Sequence, residues 1–281
     1  MKFFGVALLF SLLAGPAVAQ DAGTVTFLEG SLRIIRGTAV LQAAEGSRVR
    51  QGDILESSEK GFAQMEFTDG AIAAIGPSSR MYIFRHRAGG SPGGSAAGEE
   101  FVLLSGWLKA ESDAKAGTCR YESPLLAATT KNGAIVLHTD ESESDVFIES
   151  GSAAVAEVAS EGMVGKPAAG NAGQFFSRHR GKAVVSSSRP TSAFLDGLPR
   201  PFRDALPPRL SHFKGKPVEP KVQHPVSYAE IQPWLTIPSA WRKGFVDRFQ
   251  SRLADPEFRK QLEAHAAEYP EWATVLHPQS Q

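Results

Sequence analysis

Between Gly23 and Ser188 the chain alternates short apolar runs with breaks of Gly, Asp-Gly, Gly-Asp, Gly-Pro and Asn-Gly, the pattern of many short strands joined by tight turns. The runs predict strands at Val25-Leu28, Leu32-Ile35, Val40-Leu41, Phe62-Phe67, Ala71-Ile75, Met81-Phe84, Phe101-Leu104, Trp107-Ala110, Leu126-Thr130, Ala134-His138, Val146-Glu149, Ala153-Val158 and Gln174-Ser177. No ten-residue helical stripe interrupts them. Within Phe62-Phe67 the alternation is strict: Ala63, Met65 and Phe67 share one face, and Gln64 and Glu66 point away, so one buried and one solvated side is expected. Thr68-Asp69-Gly70 then supplies the positive φ of a tight hairpin turn.

Two other patterns follow. From Arg189 to His224, proline at 199, 201, 207, 208, 217 and 220, followed by Pro225, excludes long helices and suits an extended strap. Its apolar contacts would be Phe194, Leu195, Leu198, Phe202, Leu206, Leu210 and Phe213, and its seven Lys/Arg against three Asp/Glu offer a dilute basic surface. From Val226 to Gln281 the spacing becomes helical. Ser239 is a candidate N-cap, and Trp241, Phe245, Phe249 and Leu253 recur every four residues along one stripe. Asp255-Pro256 marks a second helix start, with Phe258, Leu262, His265 and Tyr269 on one face until Pro270. Such stripes pack as core or meet a partner, so Trp241, Phe245 and Phe249 are both core candidates and a possible partner surface.

Composition narrows the function classes. With 281 residues the chain can bury a full core, and 30 Lys+Arg against 30 Asp+Glu give no field that would hold a nucleic acid. One cysteine, Cys119, forms no internal disulfide and reads as a small buried hydrophobe. Lys2, the apolar run Phe3 to Ala14 and the small-residue site Ala17-Val18-Ala19 read as a cleaved export signal at 1–19. The expected organisation is therefore a β domain at 20–188, the strap at 189–225 and a helical segment at 226–281. No later apolar stretch reaches membrane-spanning length, so no integral membrane segment is expected after cleavage.

Candidate chemistry is sparse. Ala88 to Gly98 is Gly- and Ser-rich but lacks the Gly-Lys-Ser/Thr ending of a phosphate loop, and reads as a flexible loop. The acidic run Asp140 to Asp145 has alternating oxygen donors without the central Gly or distant Glu of a calcium loop, which favours a solvated turn and leaves calcium open. None of His86, His138, His179, His212, His224, His265 and His277 forms a metal-ligand pair along the chain, and no GxSxG elbow occurs; Glu149-Ser150-Gly151-Ser152 reads as a strand-to-strand turn. No catalytic residue, cofactor or metal is expected.

An ordered set of turn motifs carries a family resemblance. Gly23-Thr24-Val25 with Glu29-Gly30 is followed by Gly52-Asp53-Ile54-Leu55, by Phe67-Thr68-Asp69-Gly70 and by Gly76-Pro77-Ser78-Ser79. Leu104-Ser105-Gly106, Ser123-Pro124, Phe147-Ile148-Glu149-Ser150-Gly151 leading to Val155, and Ala172-Gly173-Gln174 complete the series. Over roughly 23–177 the chain resembles the FecR domain of bacterial periplasmic proteins. The resemblance implies a mainly β domain, solenoid-like or sandwich-like, with Gly52, Asp53, Asp69, Gly70, Gly76, Pro77, Gly173 and Gln174 as its turn residues. Signalling members carry a cytoplasmic sigma-binding segment and a transmembrane helix ahead of this domain. Lacking both, the chain resembles exported stand-alone members, for which the family implies binding or scaffolding and no catalysis. The expectation is a periplasmic, non-enzymatic module for an envelope protein, or alternatively for peptidoglycan or another envelope polymer.

Overall fold

The computed structural model describes residues 21–87, 98–112, 115–159 and 162–277. The expected export signal and nearly all of the expected Gly-rich loop lie outside these residues; Gly98 opens a strand. The fold is mainly β, with short helices gathered at the C-terminal end. In chain order the strands are β1 (Asp21–Glu29), β2 (Leu32–Arg36), β3 (Ala39–Gln42), β4 (Arg48–Arg50), β5 (Ile54–Ser57), β6 (Phe62–Phe67), β7 (Ile72–Ile75) and β8 (Arg80–Arg87). They continue as β9 (Gly98–Ser112), β10 (Cys119–Glu122), β11 (Leu126–Thr139), β12 (Glu143–Glu157), β13 (Ala168–Asn171), β14 (Phe175–His179), β15 (Val185–Ser187) and β16 (Lys221–Pro225). All join one mixed sheet, in the order β15-β14-β12-β11-β10-β9-β8-β5-β2-β3-β16, with β1, β4, β6, β7 and β13 paired off this path. Among the described residues no helix is long and apolar enough to cross a membrane.

Three expected turns are kinks inside long strands. β9 spans both runs expected at Phe101-Leu104 and Trp107-Ala110, pairing β8 as far as Ser105 and β11 and β7 beyond Gly106. β11 runs through Asn132-Gly133, and β12 through Ser150-Gly151-Ser152. Gly133 and Gly151 face each other across that pair, both at positive φ. A Cβ on Gly133 would lie 2.2 Å from the Ser150 carbonyl oxygen, and one on Gly151 would lie 2.2 Å from that of Asn132. The glycine chemistry that makes a turn also makes a bulge, which is why the sequence reads as a break where the strand continues. The acidic run is likewise only half loop, because Glu143 to Asp145 already belong to β12.

Both faces of the central strands are covered, and the period of two divides their residues among three cores. Ile34, Met81, Ile83, Phe101, Leu103, Ile135, Leu137, Val146 and Ile148 point into the main core between strands. Their neighbours Ile35, Tyr82 and Val102 point outward to the helical cap, and Val136 points to the strap. Double burial turns a strand into a continuous apolar run. β6 shows it most clearly: Gln64 and Glu66, expected in solvent, are buried with the other four residues. The strap lies on them. Gln64 Nε2 donates to the Pro207 carbonyl at 2.8 Å, and the Glu66 carboxylate accepts from Arg209 N at 2.5 Å and Leu210 N at 3.0 Å.

The strap begins with α1 (Ser192–Gly197), capped by the Thr191 hydroxyl accepting from Phe194 N at 3.2 Å. Phe194, Phe202 and Leu206 join Phe62, Ala74, Val136 and Phe175 in an apolar cluster. Leu195, an expected contact, instead faces solvent at 46% exposure. Lys109, fully buried, donates to the carbonyls of Phe202 and Asp204 at 3.1 and 2.8 Å and pairs with Glu149 at 2.6 Å. The strap's extended end becomes β16 on the edge of β3.

The cap contains α2 (Tyr228–Leu235), α3 (Ser239–Arg242), α4 (Phe245–Phe249), α5 (Pro256–Ala264) and α6 (Ala273–Leu276), with short 3-10 turns between α4 and α5 and between α5 and α6. Asp255 caps α5 as expected, accepting from the amides of Glu257 and Phe258. The single helix expected from Ser239 does not form: Gly244, at φ +85°, breaks it, and Pro238 rather than Ser239 occupies the capping position. The α5 helix also stops at Ala264, well before Pro270. The helix α2, which precedes the first helix start expected at Ser239, has a Ser227/Glu230 capping box and carries Pro233 inside it.

Candidate functional site

Trp241, Phe245 and Phe249 are 2%, 2% and 0% exposed, so the stripe is core and not a partner surface. It packs on the outward sheet residues Ile35, Ile54, Tyr82 and Val102, with Phe245 edge-on to Tyr82 at 5.7 Å. Between aromatics of α4, Arg248 reaches into the sheet. Its guanidinium donates to the carbonyls of Gly37, Gly52 and Ile35 at 2.9, 2.7 and 2.7 Å, and lies 4.7 Å from the Phe249 ring centre. Burial pulls this guanidinium below its ordinary pKa, against the opposing influence of Tyr82 and Asp53. Cap and sheet are therefore joined through backbone carbonyls that no side-chain pattern in the sequence announces.

The seam leaves two adjoining cavities of about 310 and 560 Å³, which share Gln51, Tyr82 and Lys243. The Gly52-Asp53 turn forms one wall. Asp53 is spent on structure: its carboxylate accepts two bonds from Arg36 at 2.9 and 2.6 Å and one from Arg50 N at 2.8 Å. The larger cavity has Arg85 and Arg120 on the sheet and Ala240, Trp241 and Lys243 on the cap. Arg85 pairs with Glu100 at 3.4 Å and lies 4.9 Å from the Phe84 ring centre; Arg120 pairs with Glu122. Burial pushes the Glu122 carboxyl above its ordinary pKa, partly offset by Arg120 and by a hydrogen bond from Trp241.

Along this seam the lining side chains include Arg36, Arg50, Arg85, Arg120, Lys243 and Arg248, against Asp53, Glu100 and Glu122. The three acids are matched within the cleft. Arg50 reaches outside it to Asp21 at 2.9 Å, and exposed Lys243 has no ion-pair partner among the described residues. Positive charge is thus in excess in a chain whose formal net charge is zero, and a concave low-dielectric wall concentrates that field.

Of the turn residues singled out from the sequence, Gly52 and Asp53 line this cleft beside Trp241 and Phe245. The others do not. Asp69-Gly70 closes the β6–β7 hairpin, where Asp69 Oδ1 accepts from Ala71 N at 3.0 Å. Gly76-Pro77 joins β7 to β8, with Gly76 N donating to the Trp107 carbonyl at 3.0 Å. Gly173-Gln174 joins β13 to β14, with Gln174 Oε1 accepting from Asn171 N at 2.6 Å. In the acidic run, Asp140 Oδ1 accepts from the Ser142 amide, the Ser142 hydroxyl and the Glu143 amide, so that oxygen caps its own turn. Cys119 is buried, and burial raises its thiol pKa.

No family model and no curated protein matches the chain. Among solved structures, one of a putative anti-sigma factor from Parabacteroides distasonis is similar at 7% identity and a TM-score of 0.38, over 48% of this chain and 59% of that one. A second structure described in the same words gives 9% identity and a TM-score of 0.39, over 51% of this chain and 64% of that one. The chain thus spans less than two thirds of either, and a likeness this distant transfers no function.

Proposed function

We propose that the chain is an exported, FecR-like, non-catalytic binding module of the bacterial envelope, and that the cleft under the helical cap receives acidic groups of a partner protein. The excess positive charge of that cleft, with Lys243 exposed at the junction of its two cavities, carries the reading. Its cationic lining is mostly guanidinium, which stays protonated and donates several hydrogen bonds in a fixed plane, a composition suited to binding carboxylates. An anionic cell-wall glycan is the second reading, favoured by the half-buried Phe84 ring beside Arg85, since a sugar face packs on an aromatic ring.

The test is capture from envelope fractions with the wild-type chain and with Lys243→Glu, beside co-sedimentation on isolated peptidoglycan. The proposal expects a discrete protein partner whose recovery falls at least about tenfold in the variant and declines with added salt. Equal recovery by the variant defeats the cleft assignment, and co-sedimentation abolished by the same substitution transfers it to the glycan.

A further inference from the structure

On the face of the sheet covered by α1, the strand register assembles donors that are scattered along the chain. His138 on β11 lies directly opposite Asp145 on β12, and Glu143, two residues before Asp145, lies opposite His179 on β14. Cross-strand partners and residues two apart point to the same face, so all four side chains share it. Donor atoms of His138, Glu143 and Asp145 lie within 4.8 Å of one another, and His179 Nδ1 is 3.3 Å from Glu143 Oε2. They open into a cavity of about 440 Å³ roofed by Thr191, Ala193, Phe194 and Gly197.

From this geometry we propose that His138, Glu143, Asp145 and His179 bind one divalent transition-metal ion of the zinc class. Two features support a ligand beyond the grouping itself. Asp145 is only 5% exposed, and the nearest imidazole nitrogen, His138 Nδ1 at 3.7 Å, is too far for a hydrogen bond. Among the described residues, the ion-pair partners of Glu143 and Asp145 are these imidazoles and no lysine or arginine. Two carboxylates held together in a recess without a fixed cation are a costly arrangement that a divalent ion relieves.

The donor set selects the ion. Calcium and magnesium take oxygen ligands, whereas two imidazoles with two carboxylates suit zinc. Bonds of about 2.0–2.2 Å place tetrahedral ligands roughly 3.3 Å apart, so side-chain rotation by about 1.5 Å closes His138, Glu143 and Asp145 on the ion, and the more exposed His179 swings in from its contact with Glu143 as the fourth ligand. Four protein donors complete the shell, which makes the site a structural pin across β11, β12 and β14. It is independent of the cleft and of the binding function proposed for it. Trp107, opposite His138 on β9, lies against that imidazole, tilted by 35° with ring centres 4.2 Å apart, and provides a local reporter.

The experiment is zinc titration of the full chain after chelator treatment, followed by calorimetry and tryptophan fluorescence, with thermal melts at each metal ratio. Binding of one Zn²⁺ per chain is expected, with a rise in Tm, a fluorescence change absent from Trp107→Phe, and no displacement by excess Ca²⁺. His138→Ala and the isosteric Glu143→Gln should each weaken binding at least about tenfold, while His212→Ala leaves it unchanged. Glu143→Gln guards against a folding defect, because Glu143 is partly exposed and its replacement keeps the shape. No binding by the wild-type chain, or equal binding by Glu143→Gln with its fold intact, overturns the proposal.

Discussion

Replacing Lys109 by methionine tests whether the strap is held by a buried charge. The stem length is kept while the ammonium is removed, and with it the bonds to the Phe202 and Asp204 carbonyls and the pair with Glu149. A hydrogen bond to a charged group contributes roughly 1.5–3 kcal/mol, and two carbonyls lose such a donor. Against this, the methionine avoids the several kcal/mol of desolvating an ammonium, and Glu149, about one-third exposed, regains water. Removing one partner of a buried ion pair costs about 3–5 kcal/mol, which the water regained by Glu149 lowers to a net loss of about 2–4 kcal/mol. For a chain of this size about 2–4 °C of Tm accompanies each kcal/mol, so a drop of roughly 5–15 °C is expected in thermal denaturation. Limited trypsin digestion should cut first at Arg203 or Arg209, in the released strap; Arg200 is protected by the proline that follows it. An unchanged Tm with an uncut strap would refute the argument.

Three further substitutions probe other joints. Gly133→Ala places a methyl against the Ser150 carbonyl and should cost several kcal/mol, whereas Gly181→Ala, also at positive φ but with nothing within 4 Å, should cost about 1–2 kcal/mol; comparable denaturant midpoints would contradict the kink assignment. Phe249→Ala empties a fully buried site between cap and sheet and should lower stability by about 3–5 kcal/mol, and an unaltered melting curve would show that the cap does not depend on it. Burial alone would raise the Glu230 pKa, but bonds from the Ser227 amide and hydroxyl, with Arg33 and His224 nearby, bring it below its ordinary value. A depressed carboxyl stabilises above its unfolded pKa and loses that contribution as pH falls through the folded one. Glu230→Gln should therefore cost about 1 kcal/mol at pH 7, with the difference closing below about pH 4.5; a gap constant with pH would defeat the linkage.

Strand positions are legible in the sequence at the longer apolar runs bounded by turn residues, and β6 is located to the residue, whereas short strands such as β5 carry too few apolar residues to stand out. The same pattern misjudges what lies outside the sheet. Gln64 and Glu66 read as solvated because period two identifies two faces without saying what covers each, and only the fold brings Pro207, Arg209 and Leu210 onto them. Gly133 and Gly151 read as turns because positive φ serves kinks equally well. Trp241, Phe245 and Phe249 stood out by spacing, yet spacing does not separate core from interface, and burial resolves them as core. Lys109, Lys243 and Arg248 carry no sequence signal: a buried lysine and a surface lysine are the same letter. His138 and His179 are likewise brought to one face by register alone, across a separation that no short motif spans.

A photo-reactive crosslinker placed at position 243 and, as a control, at exposed position 182 tests the cleft assignment most directly. In envelope fractions the account predicts a discrete crosslinked protein from position 243, absent from position 182 and suppressed by high salt. The same adduct from both positions, or from position 182 alone, would contradict it.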